Sequence, residues 1–224
     1  MARIDVKGDI VVNEYKEFYD WFGWDCTCPK DVNDIISAAE KDEQIDVYIN
    51  SGGGHVMAGQ EIYSALRRDS RVNIHIEGMA CSAASIIAMA GRSDMSPVAM
   101  LMIHNVSGGA SGDYHDMEKA KNELKAMNEA LASAYAEKTG MDRDKLLSLM
   151  DKETWLTANQ CIEYGFIDSI DTPAQNQAFA FNSVESGIKL TSEMMEKAKA
   201  EMSAQKEHNK LKQELIEDLD DFGV

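Results

Sequence analysis

Gly78-Met79-Ala80-Cys81-Ser82-Ala83-Ala84-Ser85-Ile86-Ile87 marks a change of period in the chain. Upstream, Val72-Asn73-Ile74-His75-Ile76-Glu77 alternates apolar and polar residues, the period-2 signature of a strand. Downstream, small and apolar residues run without a breaker to Gly91, as in a buried helix. A strand ends and a helix begins here, with Ser82 at the joint. A serine in that place commonly caps the helix, its hydroxyl accepting a backbone N–H two or three residues on. It can also be a nucleophile, and then it needs a base, an orienting carboxylate and oxyanion donors from elsewhere in the chain.

Two further stretches have the same strand-to-turn character. Ile45-Asp46-Val47-Tyr48-Ile49-Asn50 reads as a strand running into Ser51-Gly52-Gly53-Gly54-His55, followed by a helix from Val56 to Arg68. Strand, glycine turn and helix make one unit of an α/β fold. Three glycines free the backbone to aim N–H groups at a phosphate or an oxyanion. The Walker and dinucleotide patterns are missing, which disfavours phosphate, and a plain tight turn explains one glycine better than three. Val98 to His104 is a continuous apolar run, as in a strand buried on both faces, and it ends on the histidine. A lone histidine there is more often a satisfied core residue than a catalyst. Val106 to Gly112 is glycine-rich and reads as an edge able to pair with a peptide.

Around these stretches the chain is mixed helix and strand. Residues 3–12 read as two short apolar runs with a turn at Gly8-Asp9, and the segment 14–29 gathers Phe18, Tyr19, Trp21, Phe22 and Trp24, which predicts packing. Asp31 to Glu40 predicts a helix capped by Asp31. The longest predicted helix, Asp113 to Thr139, carries Met117, Ala120, Leu124, Met127, Leu131 and Ala134 at spacings of three and four, a stripe that is either core or subunit contact. Helices over Asp142–Met150 and Thr157–Tyr164 and a strand at Phe166–Ile170 follow. Past Asp171 the texture turns polar. Residues 172–190 read as linker and 192–219 as a charged helix with Leu211, Leu215 and Leu219, so the expected division is a domain over 1–171 and a linker with helical tail over 172–224.

Composition narrows the function. A formal charge of -17 over 224 residues disfavours nucleic-acid binding, which relies on basic clusters. A mean hydropathy of -0.35, with no apolar run of signal-peptide or bilayer length, predicts a cytoplasmic protein without a membrane partner. Cys26, Cys28, Cys81 and Cys161 lack paired CxxC spacing and are expected as free thiols. Cys81 is a rival to Ser82 but ranks below it, since small buried thiols are usually packing residues.

Taken together, Tyr48-Ile49-Asn50-Ser51-Gly52-Gly53-Gly54, Gly78 to Ser82, Met102-Ile103-His104, and Trp155-Leu156-Thr157-Ala158 leading to Glu163-Tyr164-Gly165-Phe166-Ile167-Asp168 resemble, in order and spacing, the Clp protease proteolytic subunit family. The resemblance covers most of residues 45–170. It implies an α/β, crotonase-like fold of stacked βαβ units, with a handle helix from Asp113 that joins rings of subunits. It implies Ser82 as nucleophile and His104 as base, Gly54 and Ala83 as oxyanion-hole N–H donors, and Gly108 and Gly109 on the strand that pairs with substrate. No metal or organic cofactor is implied. The third triad position, an aspartate in the family, is filled by Glu153, with Asp151 as fallback. The family's N-terminal axial loops have no counterpart ahead of Arg3, so cleavage independent of an ATPase is expected. The aromatic segment at 14–29 and the tail after 172 are extra to the family, and a shortened Clp-like protein with such a tail resembles the head-maturation proteases of tailed phages and prophages. Expected partners are therefore copies of the chain itself in a ring and a protein substrate such as capsid or scaffold, in host cytoplasm or prohead. Two alternatives stay open: a catalytically weak assembly or scaffolding protein, and a crotonase-type acyl-CoA hydratase, which would use carboxylates in place of a Ser-His pair.

Overall fold

The computed structural model describes residues 1–171, 193–205 and 207; the expected linker and Leu211, Leu215 and Leu219 lie outside them. The elements run β1 (Ala2–Ile10), a 3-10 turn (Asn13–Tyr15), α1 (Lys16–Phe22), β2 (Cys26–Thr27), α2 (Pro29–Ala38), β3 (Ile45–Gly54), α3 (Val56–Arg67), β4 (Val72–Cys81), α4 (Ala83–Ile87) and β5 (Arg92–Met95). Then come β6 (Met100–Ile103), α5 (Tyr114–Thr139), α6 (Arg143–Asp151), β7 (Thr154–Thr157), α7 (Ala158–Tyr164) and β8 (Ser169–Ile170). This is the expected α/β class. The strands form one sheet ordered β2-β1-β3-β4-β5-β8, with β6 joined to β4 and β7 to β6. All pairings are parallel except β6 with β7.

Register explains the core. Ile4, Val47 and Ile74 lie in one row across β1, β3 and β4, and Val6, Ile49 and Ile76 in the next, all buried. Ala58, Ile62 and Leu66, four apart on α3, close over the same core, and each large aliphatic buried there contributes about 1.5–3 kcal/mol. The opposite face carries the alternate residues Asp5, Tyr48, His75 and Asp94 in one row. Tyr48 and His75 stack with ring centroids 4.8 Å apart, and the Arg3 guanidinium lies 3.8 Å over Tyr48. A parallel sheet usually buries both faces; here the period-2 alternation of Val72–Glu77 leaves one face polar.

Several local expectations need correction. Gly8 does not end β1: it sits at φ 61° where the register with β3 shifts, so the strand bulges and continues to Ile10. The glycines at 52–54 form no turn, because β3 runs through them and pairs Gly53 with Asp9 and Gly54 with Ile10. Helix α2 starts at Pro29 behind Cys28, leaving Asp31 in the first turn and not at the cap. The unbroken helix expected after Ser82 stops at Ile87, and β5 follows Gly91 unforeseen. By contrast α5 begins at Asp113 with a capping box to Asp116, and α7 begins at Thr157 with one to Gln160.

The aromatic segment packs, as expected. Phe22 stacks on Trp24 at 4.7 Å, Tyr19 is buried beside Val11 and Cys28, and Trp21 stays exposed. The helical residues 193–205 place Ala198 and Met202 against Phe18 and Phe22.

What positions the site is a division of the sheet at β4. Its first half, Asn73–Ile76, pairs with β5, and its second half, Met79–Cys81, pairs with β6. The C-terminal ends of β3, β4 and β6 therefore meet, and the carboxyl ends of parallel strands are where α/β sheets place their ligands.

Candidate active site

Cys81 is opposite Met102, and the Ser82 N–H donates to the Met102 carbonyl at 3.0 Å. One residue beyond this register on β4 and two beyond on β6 stand Ser82 and His104. Their side chains meet at 2.7 Å, between Ser82 Oγ and His104 Nε2. The serine does not cap α4: its side chain bonds no helix N–H, and its backbone sits at φ 53°, ψ −122°. A non-glycine residue at positive φ costs on the order of 1–3 kcal/mol and persists only when its surroundings hold it. Here the conformation turns the hydroxyl off the helix axis and onto the histidine. Each residue alone favours a plain structural use, and their contact overturns both.

The glycines of β3 make room for this turn. A Cβ on Gly53, at φ 98°, would lie 2.6 Å from the Cys81 carbonyl oxygen and 2.7 Å from the Ser82 Cβ, so only glycine lets β3 approach the joint. Gly54 and Ala83 both line the cavity into which Ser82 and His104 open. Its volume is about 350 Å³, and Met57, Leu124, Met127, Leu131 and Tyr135 give it an apolar wall. Gly108 lines the same cavity, and Gly109 lines a neighbouring one along α5. The segment 104–113 carrying both glycines is outside every strand. Two amide side chains hold its start: Asn105 Nδ2 donates to Asp151 Oδ1 at 2.7 Å, and Asn128 Oδ1 accepts the Val106 N–H at 2.7 Å. No motif in the sequence announced Asn105 or Asn128; only their spacing from His104 and the fold bring them to it.

The third member is less simply placed. Glu153 has a left-handed backbone, φ 50°, and its Oε1 is 3.5 Å from the Trp155 indole Nε1. Asp151 is taken by Asn105. Among the described residues, His104 has Ser82 as its hydrogen-bond partner and no carboxylate bonded to its other nitrogen. Cys81 is buried, and burial pushes its thiol up to about 11, which keeps it protonated at neutral pH. No group of His, Cys, Asp and Glu among the described residues could hold a metal ion, and no described helix is long and apolar enough to cross a membrane.

Comparison with known proteins adds a family. A family model described as Clp protease matches residues 34–174. The ATP-dependent Clp protease proteolytic subunit of Bacteroides fragilis is 34% identical over 139 residues, 60% of this chain and 67% of that protein. That of Bacteroides thetaiotaomicron is 33% identical over 139 residues, 60% and 63% of the two chains. Proteolytic subunit 2 of Gluconobacter oxydans is 32% identical over 142 residues, 61% and 64%. The chain thus spans about two thirds of the length of these relatives. Ser82, His104, Glu153, Gly54, Ala83, Gly108 and Gly109 fall inside the matched residues; the aromatic α1 and the helical 193–205 fall outside.

Proposed function

Because this chain belongs to the Clp protease family, we propose that it is a serine endopeptidase whose nucleophile is Ser82 and whose general base is His104. The observation that carries the assignment is the 2.7 Å contact between Ser82 Oγ and His104 Nε2, made from a strained backbone at the mouth of an apolar cavity. Ser82 Oγ attacks the peptide carbonyl carbon as His104 Nε2 takes the hydroxyl proton. The N–H groups of Gly54 and Ala83 stabilise the oxyanion that forms. The C–N bond then breaks and His104 returns the proton to the leaving amine. Water, deprotonated by the same imidazole, releases the acid and regenerates Ser82. These steps balance without a nucleotide, so cleavage of short peptides is expected without ATP. The apolar wall favours a large apolar side chain next to the cleaved bond, with the substrate backbone laid along Gly108 and Gly109.

Glu153 is assigned to orient His104. In support, Asp151 is already engaged by Asn105, and the left-handed backbone of Glu153 is the kind of local cost that functional positions carry. Strand β7 pairs antiparallel with β6 with Thr154 opposite Ile103, so Glu153 stands one residue beyond that pairing, beside His104. Self-association in a ring is supported by the half-exposed stripe on α5. A capsid or scaffold protein of a phage or prophage is the narrower substrate assignment, supported by the aromatic α1 and the helical residues 193–205, which lie outside the residues the family model matches.

One observation favours a second reading, a catalytically weak assembly protein: the missing carboxylate contact at His104. Labelling with a fluorophosphonate, followed by mass spectrometry and hydrolysis of a fluorogenic peptide with Leu or Met before the cleaved bond, separates the two. Adduct on Ser82 with turnover supports the endopeptidase; an unlabelled, inactive protein favours the assembly role. For the narrower assignment, proheads incubated with the parent and not with Ser82→Ala should yield new capsid or scaffold termini.

A further inference from the structure

Ser85 in α4 and Tyr135 in α5 are polar residues inside an otherwise apolar core, 0% and 1% exposed. A hydroxyl buried without a partner costs about 1–3 kcal/mol, so where their hydroxyls go is informative. Ser85 Oγ lies 2.6 Å from the Ser82 carbonyl oxygen and 2.7 Å from the Tyr135 hydroxyl. The serine has one proton, and the carbonyl can only accept it. Tyr135 is therefore the donor to Ser85, and Ser85 the donor to Ser82. Burial raises the Tyr135 pKa well above the ordinary tyrosine value, so the hydroxyl keeps its proton at any working pH. The Ser85 N–H reaches the same carbonyl at 3.0 Å.

That carbonyl belongs to the peptide joining Ser82 to Ala83, which is trans. In a planar trans peptide the C=O and the N–H point in opposite directions. Holding the carbonyl into the core thus turns the Ala83 N–H away from it, and Ala83 lines the cavity of Ser82 and His104. We propose that Tyr135 and Ser85 are positioning residues, a buried hydroxyl relay that fixes the Ser82–Ala83 peptide, aiming the Ala83 N–H at the oxyanion and holding Ser82 Oγ on His104. This rests on the endopeptidase assignment. The Tyr135 ring also forms part of the cavity wall, but the two hydroxyls face each other and the Ser82 carbonyl inside the core, between α5 and the nucleophile.

The decisive variant is Ser85→Ala combined with Tyr135→Phe, because it removes both hydroxyls and leaves no buried polar group unpaired. Ser85→Ala alone strands the Tyr135 hydroxyl and should lower both melting temperature and kcat; in the double variant the melting temperature should return toward the parent's. Removing an oxyanion donor outright costs about 10²–10³ in kcat, and misaiming one is expected to cost about 10- to 100-fold. The double variant should therefore keep a kcat about 10- to 100-fold below the parent with KM within about twofold, since the lost interaction is made in the transition state. Recovery of kcat together with melting temperature would show that the pair only packs, and would overturn the relay. Should the double variant fail to fold, the same kcat-against-KM split is read on Ser85→Ala well below its melting temperature, where a parent-like kcat overturns the relay equally. An inactive, unlabelled parent would instead sink the endopeptidase assignment and take the relay with it.

Discussion

Ser82 bonds no helix N–H, so its hydroxyl is free of structural duty and its removal should separate chemistry from stability. Ser82→Ala is expected to lower kcat by about 10⁶, the scale of a lost nucleophile, with no change in melting temperature beyond error; residual hydrolysis near the parent rate would place the nucleophile elsewhere. The neighbouring Cys81 is no substitute. With its thiol pushed up to about 11 by burial, it should react with iodoacetamide at neutral pH far more slowly than a free cysteine, and rapid labelling of the folded protein would contradict that. The carboxylates give the sharper comparison. Removal of a triad's orienting member lowers kcat by about 10⁴, so Glu153→Gln should be much slower than Asp151→Asn. The latter keeps an acceptor for Asn105 and should lose little. If Asp151→Asn is the damaging change, the triad runs through Asp151, and Asn105 must release it during catalysis.

Helix α5 shows how one periodic stripe can serve two environments. Leu131 and Ala134 are buried in the core, whereas Met117 is 42% exposed and Ala120, Leu124 and Met127 are half-buried along the glycine segment. A charge at Leu131 would unfold the protein and say nothing of assembly. Met117→Glu with Ala120→Glu is the cleaner test, since both lie at the N-terminal end, away from the core. If copies of the chain pack on this end, light scattering should fall from an oligomer toward the 24.8 kDa chain mass while far-ultraviolet circular dichroism is unchanged. A parent that already scatters as a monomer would refute the assembly proposal. The tail is testable in the same way. Met202→Asp places a charge against Phe18 and Phe22, so residues 193–205 should undock, and Trp24, stacked on Phe22, should report it as a shift in fluorescence.

At the scale of the molecule, Lys138 on α5 ties the sheet edge to the helix layer. It donates to the Gly91 carbonyl and to Asp168, whose carboxylate also accepts the Ser93 N–H. Burial pushes the Asp168 carboxyl up, but Lys138 and Ser93 outweigh it and hold the group below the usual range. A carboxyl depressed in the folded state stabilises the protein above its unfolded value, about 4, and that contribution is lost as pH falls through the lower folded value. Melting temperature should therefore drop on acidification below about pH 4, and Asp168→Asn, less stable near neutrality, should show a shallower drop. A variant with the parent's acid profile would mean that other carboxylates carry it.

How much of this was legible in the chain depends on the range of the interaction. Alternation in Val72–Glu77, the stripe on α5 and the helix starts at Asp113 and Thr157 are local, since backbone periods and hydrogen bonds within four residues set them, and those elements stand where the residues predicted. The family motifs likewise singled out Ser82 and His104 from residues that, taken one at a time, favour a helix cap and a core histidine. The bulge at Gly8, the passage of β3 through three glycines and the strand at Arg92–Met95 depend on a pairing partner far along the chain, which no local pattern contains. The same holds inside the site. Twenty-two residues separate Ser82 from His104, and fifty separate Ser85 from Tyr135. The sequence by itself determined which side chains and which backbone freedoms were present. Only the tertiary structure decided which of them meet, because the splitting of the sheet at β4 brings three strand ends together and a hydrogen bond forms only within about 3 Å.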